Sequence, residues 1–163
     1  MDYQDWDRMV NQKPNRKLSW MANLDQLRNL IRRSPLDPVF VAVDLEGDGC
    51  ITQGFQHSSN TELGISILDT RDLYSKPSES ISILKTHNFI TGSDQFFEKR
   101  GNKYLWGIAE WISTGSMLEK LNSCISRDRN VVLVGHGMSR DLAALRALRF
   151  NFKTNVIAIF DTC

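Results

Sequence analysis

Val39-Phe40-Val41-Ala42-Val43 is an unbroken apolar, largely β-branched run that follows Pro38 and ends in Asp44-Leu45-Glu46. Its shortness, its lack of helical spacing and the preceding proline predict a buried strand over 39–45. Two more strands are predicted at 62–68, mostly apolar with Gly64 inside, and at 81–87, where Ile81 and Ile83 alternate with Ser82. The stretch 69–80 between them carries turn formers, including Pro77, a spacing that suits an antiparallel meander. Val131-Val132-Leu133-Val134 has no polar alternation, which predicts a strand buried on both faces and parallel to its neighbour. A fifth strand is expected over 156–160.

Helical spacing appears in three places. Leu24, Leu27, Leu30 and Ile31 form a short stripe closed by Pro35, which predicts an amphipathic helix. Apolar residues at 108, 111, 112, 117, 118, 121 and 125 predict a helix across 106–126, kinked near Gly115. A further helix is expected from about 139 to 150. Segments 13–17, 47–60 and 91–102 read as irregular. A three-strand meander followed by helix, strand, helix, strand is an α/β pattern with a mixed sheet. With the five strands numbered along the chain, the expected order is 3-2-1-4-5, the second antiparallel to the first. Residues 1–36 read as an N-terminal arm and 37–163 as the domain.

Composition narrows the function classes without choosing one. A net charge of +1 with 24% charged residues gives no global attraction to nucleic acid or membrane, so any basic surface is local. The three cysteines, Cys50, Cys124 and Cys163, show no C-x-x-C spacing. That argues against a disulfide framework or zinc site and for a reducing compartment, the cytoplasm or nucleus. The opening residues are too polar for a signal peptide, and no apolar run approaches a membrane span.

The chemistry concentrates at two places. Side chains alternate along a strand, so Asp44 and Glu46 project to one face about 7 Å apart. Two like charges there resist burial. They are either structural or, more simply, ligands of a hard divalent cation. The second place is Gly135-His136-Gly137-Met138-Ser139-Arg140-Asp141, which follows a buried strand and opens a helix, where ligands collect in open α/β sheets. Asp141 falls within the stripe of Met138, Leu142, Leu145 and Leu148, and Arg140 points the other way. An acid on a core-facing stripe needs a partner: an arginine, a backbone amide at the helix start, or a metal shared with Asp44 and Glu46. His136 reads as a structural hydrogen-bonding residue or a general base. Arg28, Arg32 and Arg33 on the arm's helix read as a solvated face or as a phosphate-contacting patch with Arg140.

Asp44-x-Glu46, Gly135-His136 with Asp141 after four residues, and Phe160-Asp161-Thr162 resemble the DEDD family of 3′–5′ exonucleases, which has a ribonuclease H-like fold. The segments 40–44, 61–65, 104–107 before Glu110-Trp111, and 134–136 resemble a mostly fungal branch that includes the "good for full DEAD-box protein activity" C-terminal domains. The resemblance implies two-metal phosphodiester hydrolysis. By position, Asp44 would bridge two Mg²⁺ or Mn²⁺ ions, Glu46 would hold the ion that activates water, and Asp141 would support the second ion. It implies single-stranded nucleic acid, chiefly RNA, as the partner. In the family a His or Tyr and a fourth Asp follow on a later helix, and residues 1–163 do not include them. The expectation is therefore a ribonuclease H-like domain truncated at its C-terminus, inactive or weak as an enzyme or else a non-catalytic RNA- or protein-binding module, with a protein partner covering the face left by the missing C-terminal helices.

Overall fold

Val39–Glu46 forms the central strand β2, and its apolar run lies in the middle of the sheet as its composition requires. The computed structural model describes residues 19–21, 23–33, 37–47, 60–73 and 83–163. Its elements in chain order are β1 (Ser19–Met21), α1 (Leu24–Arg33), β2, β3 (Thr61–Asp69), β4 (Leu84–Thr91), α2 (Asp94–Gly101), β5 (Ala109–Trp111), α3 (Met117–Cys124), β6 (Val131–Gly135), α4 (Ser139–Ala147) and β7 (Val156–Asp161). The described strands form one seven-stranded mixed sheet in the order β1-β7-β6-β2-β3-β4-β5. The expected order 3-2-1-4-5 is its inner part. β2 runs antiparallel to β3 and parallel to β6.

Four expectations need correction. The third strand is Leu84–Thr91 rather than 81–87, because Asn88, Phe89, Ile90 and Thr91 are its buried residues and Phe89 registers against Leu63; residues 81 and 82 lie outside the described set. The stretch 91–102 is not loop but contains α2, started by Ser93, whose Oγ accepts the Phe96 N–H at 3.2 Å. No residue of α2 is buried, so it offers no apolar stripe to read. The single helix over 106–126 is instead edge strand β5, a 3₁₀ turn at Thr114–Ser116 and α3. The backbone leaves Ile112 bonded to the Ile90 carbonyl at 2.9 Å, continuing the ladder. Finally, α4 stops at Ala147, because Arg149 takes a left-handed φ of 62°. The expected loop residues 13–17 and most of 47–60 are outside the described set. Ser19–Met21, within the expected arm, pairs in parallel with β7.

The two sheet faces differ. On one, Val39, Val41, Val43 and Leu45 of β2 join Leu63, Ile65 and Ile67 of β3 and Leu133 of β6 under Met117 and Leu121 of α3 and Leu142 and Leu145 of α4. On the other, a smaller cluster of Met21, Val132, Ala158 and Phe160 packs beneath Leu27 and Leu30 of α1. Toward β3 and β4 the second face is floored by Ala42, Gly64 and Ser66 and is left open by the described residues. Gly135 ends β6 where the chain passes close to its neighbours. A Cβ there would collide with the Met138 thioether and lie 3.3 Å from the Val43 carbonyl.

Candidate active site

The site is built where β2 outruns β6. Pairing of β2 with β6 ends at Ala42 opposite Val134, whereas pairing with β3 continues to Glu46 opposite Glu62. Beyond Ala42, one edge of β2 therefore carries backbone groups that β6 does not reach. Asp141, from the first turn of α4, takes that place. Its Oδ1 accepts the Leu45 N–H at 2.9 Å, and the residue is 6% exposed. The partner of this acid is thus a backbone amide, supplied chiefly by the strand at Leu45, with the amide of Asp141 itself at the start of its helix adding to it. Burial pushes the Asp141 carboxyl above its ordinary range; the Leu45 bond works the other way, and the charges of Asp44 and Asp161 add to the rise.

Asp44 and Glu46 are exposed on the open face, as strand alternation requires. Asp44 lines a cleft of about 580 Å³ whose walls include Tyr104, Trp106 and His136 over the floor of Ala42 and Gly64. Glu46 is turned the other way, into an ion pair with Arg100, which also meets Glu62 at 2.7 Å. Glu62 in turn accepts the Asn88 Nδ2–H at 2.9 Å.

The donor chemistry of Asp44, Glu46 and Asp141 suits a hard divalent cation, but their arrangement is not a cation cage. Glu46 is held by Arg100, and Asp141 spends an oxygen on Leu45. Among the described residues no three His, Cys, Asp or Glu side chains are grouped to hold a metal ion.

His136 is exposed and makes a side-chain hydrogen bond through Nδ1 with Thr162 Oγ1 at 3.1 Å. Asp161 has a clear structural task. It accepts the N–H of Gly137 at 2.9 Å, of Met138 at 3.2 Å and of Cys163 at 3.1 Å. It thereby ties the end of β7 to the turn before α4 and so to Asp141. Gly137 in that turn has φ 66°, a left-handed conformation that glycine adopts without strain.

The arginines singled out in the sequence do not join the cleft where the structure describes them. Arg28 pairs with Asp25 at 3.4 Å, both exposed. Arg32 and Arg140 are exposed, and none of these three lines the cleft. The Arg33 side chain lies outside the described set. Sequence reading missed Arg100, and it placed Glu62, Tyr104 and Trp106 in family-like segments without assigning them to the site. Arg100 sits in a segment too polar to read as helix, and Glu62 gains meaning only once the β2–β3 register sets it opposite Glu46. Among the described residues no helix is long and apolar enough to cross a membrane.

Comparison with curated proteins gives no match. A family model described as DNA polymerase III subunit epsilon-like, C-terminal domain (DEDDh_C) matches residues 39–163. That span begins at the first residue of β2 and includes Asp44, Glu46, Asp141 and Asp161, and its nuclease-like character agrees with the mixed sheet seen here. The chain belongs to this epsilon-like DEDDh family, within the DEDD exonuclease superfamily.

Proposed function

We propose that this domain binds the 3′ end of single-stranded RNA at the Asp44 cleft and derives from Mg²⁺- or Mn²⁺-dependent 3′–5′ exonucleases. The observation that carries the reading is the shared address of Asp44 and Trp106. An exposed carboxylate and an exposed indole line one open cleft. A single strand offers both an accessible phosphodiester and an unstacked base, and aromatic faces are the usual platform for such bases. Asp44, Glu46 and Asp141 are the acids assigned to the metal-dependent chemistry. Arg28, Arg32, Arg33 and Arg140 are assigned to more distant phosphates. Kinship with the fungal branch, and a cytoplasmic or nuclear location, belong to the same proposal and rest on the segments and cysteine usage given above.

Residues 1–163 carry three of the four acids of the family pattern and not the His or Tyr that accompanies the fourth. Loss of a general base alone slows such reactions by about 10²–10⁴-fold. As a polypeptide, residues 1–163 are therefore expected to bind RNA and to trim it poorly or not at all. A second reading, a non-catalytic RNA- or protein-binding module, is favoured by one observation: Glu46 is occupied by Arg100.

The test uses purified residues 1–163 with 3′-labelled single-stranded RNA and DNA in Mn²⁺, beside the Asp44→Ala, Glu46→Ala double variant. Binding to RNA with little trimming is the expected result. Robust trimming that the double variant abolishes would show that three carboxylates suffice. Absence of binding to either strand would remove the nucleic-acid reading.

A further inference from the structure

Three side chains stand in line where β6 and β7 end. Cys163 Sγ lies 3.7 Å from His136 Nε2, and His136 Nδ1 lies 3.1 Å from Thr162 Oγ1. The Thr162 hydroxyl has one proton, and it is directed at the Gly135 carbonyl, 3.1 Å away. Thr162 Oγ1 is therefore left to accept from the imidazole. The ring proton then sits on Nδ1 and the lone pair on Nε2. That lone pair faces the Cys163 thiol, whose S–H is its donor.

The backbone holds the arrangement. The Thr162 N–H donates to the Gly135 carbonyl at 2.9 Å, and the Cys163 N–H donates to Asp161 Oδ1 at 3.1 Å. Asp161 also takes the N–H groups of Gly137 and Met138, so its bonds go to the backbone rather than to the ring. Cys163 is exposed, whereas Cys124 is half-buried and burial pushes its thiol up. A nucleophile within reach of a base that a third group orients is the arrangement that activates thiols.

We propose that Cys163 is a reactive thiol with His136 as its base and Thr162 as the residue that positions the base, and that it is reversibly modified by low-molecular-weight disulfides of the glutathione type. The Cys163 sulfur attacks one sulfur of the disulfide; a new S–S bond forms and the old one breaks. The thiol proton passes to His136 Nε2 and leaves with the departing sulfur as a free thiol. Cys163 is oxidised and the departing half of the disulfide is reduced. His136 and Thr162 also line the Asp44 cleft, so a group carried by Cys163 stands beside the cleft wall. The inference does not depend on what the cleft binds.

The experiment is reaction of reduced residues 1–163 with oxidised glutathione, with the adduct at Cys163 followed by peptide mass spectrometry. The proteins are wild type, His136→Gln, Thr162→Val and Thr162→Ser, and far-UV circular dichroism confirms that each is folded. At about pH 7, His136→Gln is expected to slow adduct formation about tenfold, because the thiol then lacks a base. At about pH 10, where an exposed thiol ionises unaided, the two rates should converge. Thr162→Val should slow the reaction by a smaller factor, and Thr162→Ser, which keeps the hydroxyl, should restore it. Equal rates for wild type and His136→Gln near neutral pH, or a deficit that persists unchanged in alkali, would overturn the proposal. Should His136→Gln not fold, the Thr162→Val deficit and its rescue by serine decide in its place: a Thr162→Val rate equal to wild type would overturn the proposal.

Discussion

Asp141 Oδ1 and the backbone N–H of Leu45 meet at 2.9 Å across 96 positions of sequence. This bond fastens the first turn of α4 to the free edge of β2, next to the strand residue that carries Asp44. Because burial raises the Asp141 pKa, the unfolded chain gives up this proton at lower pH than the folded chain. Between the usual carboxylate value and the raised one, the folded state holds more protons, so stability falls as pH rises through that window. Below both values the group contributes no difference. Asp141→Asn keeps an acceptor oxygen and removes the charge. It should be at least as stable as wild type at neutral pH and should flatten this part of the profile. Asp141→Ala strands a buried amide and should lose about 1–3 kcal/mol. Denaturant titrations from about pH 4 to about pH 8 check both, and a wild-type-like Asp141→Ala would remove the bond's importance.

Asp161 gives a second prediction. It accepts two backbone N–H groups from the turn before α4, those of Gly137 and Met138, and a third from Cys163 beyond the end of β7. Asp161→Ala should lower stability by about 1–2 kcal/mol, the range for removing a cap acceptor. Asp161→Asn should recover part of it. Thermal unfolding followed by far-UV circular dichroism gives the comparison; equal melting of Ala and wild type would mean the turn before α4 does not need this carboxylate.

Trp106 tests the cleft without disturbing the fold. The residue is 77% exposed, so Trp106→Ala should change stability by no more than about 0.5 kcal/mol. Its loss should weaken single-stranded RNA binding by about 1–3 kcal/mol, as expected for one stacked base. Fluorescence anisotropy in Ca²⁺ with a labelled oligonucleotide measures it. An unchanged dissociation constant would place the strand elsewhere.

The arginines of α1 predict a salt effect. If Arg28 and Arg32 contact phosphates, the double alanine variant should weaken RNA binding uniformly across sequences. It should also reduce the slope of log affinity against log salt by about 0.7 for each phosphate no longer neutralised. A slope equal to wild type would return these residues to the role of a solvated helix face.

The inner sheet was legible because its strands are long and strongly patterned. Val39–Glu46 and Val131–Gly135 leave no reading except buried strands, and once they are adjacent Asp141 must approach Asp44. The edge strands were hidden for the opposite reason. Ser19–Met21 and Ala109–Trp111 are three residues each, too short for a period to show. Ile108, Trp111 and Ile112 imitate helical spacing while the first two are in fact exposed. α2 was invisible because it buries nothing. With it went Arg100, and therefore the fact that Glu46 already has a cation partner. Side-chain pairing across a ladder depends on register, and register is a property of two strands together, so neither strand read alone sets Glu62 opposite Glu46.

Gly64 pairs opposite Asp44 in the middle of β3, and a Cβ built there would find only the Asp44 carbonyl oxygen, 3.9 Å away. Glycine inside a strand weakens it by roughly 0.5–1 kcal/mol relative to alanine, yet here an added Cβ meets no clash among the described residues. The hollow is therefore one residue away from being plugged. Gly64→Leu should fill the floor beside Asp44, melt no lower than wild type, and exclude any occupant from the cleft, leaving a protein in which occupancy has been separated from folding.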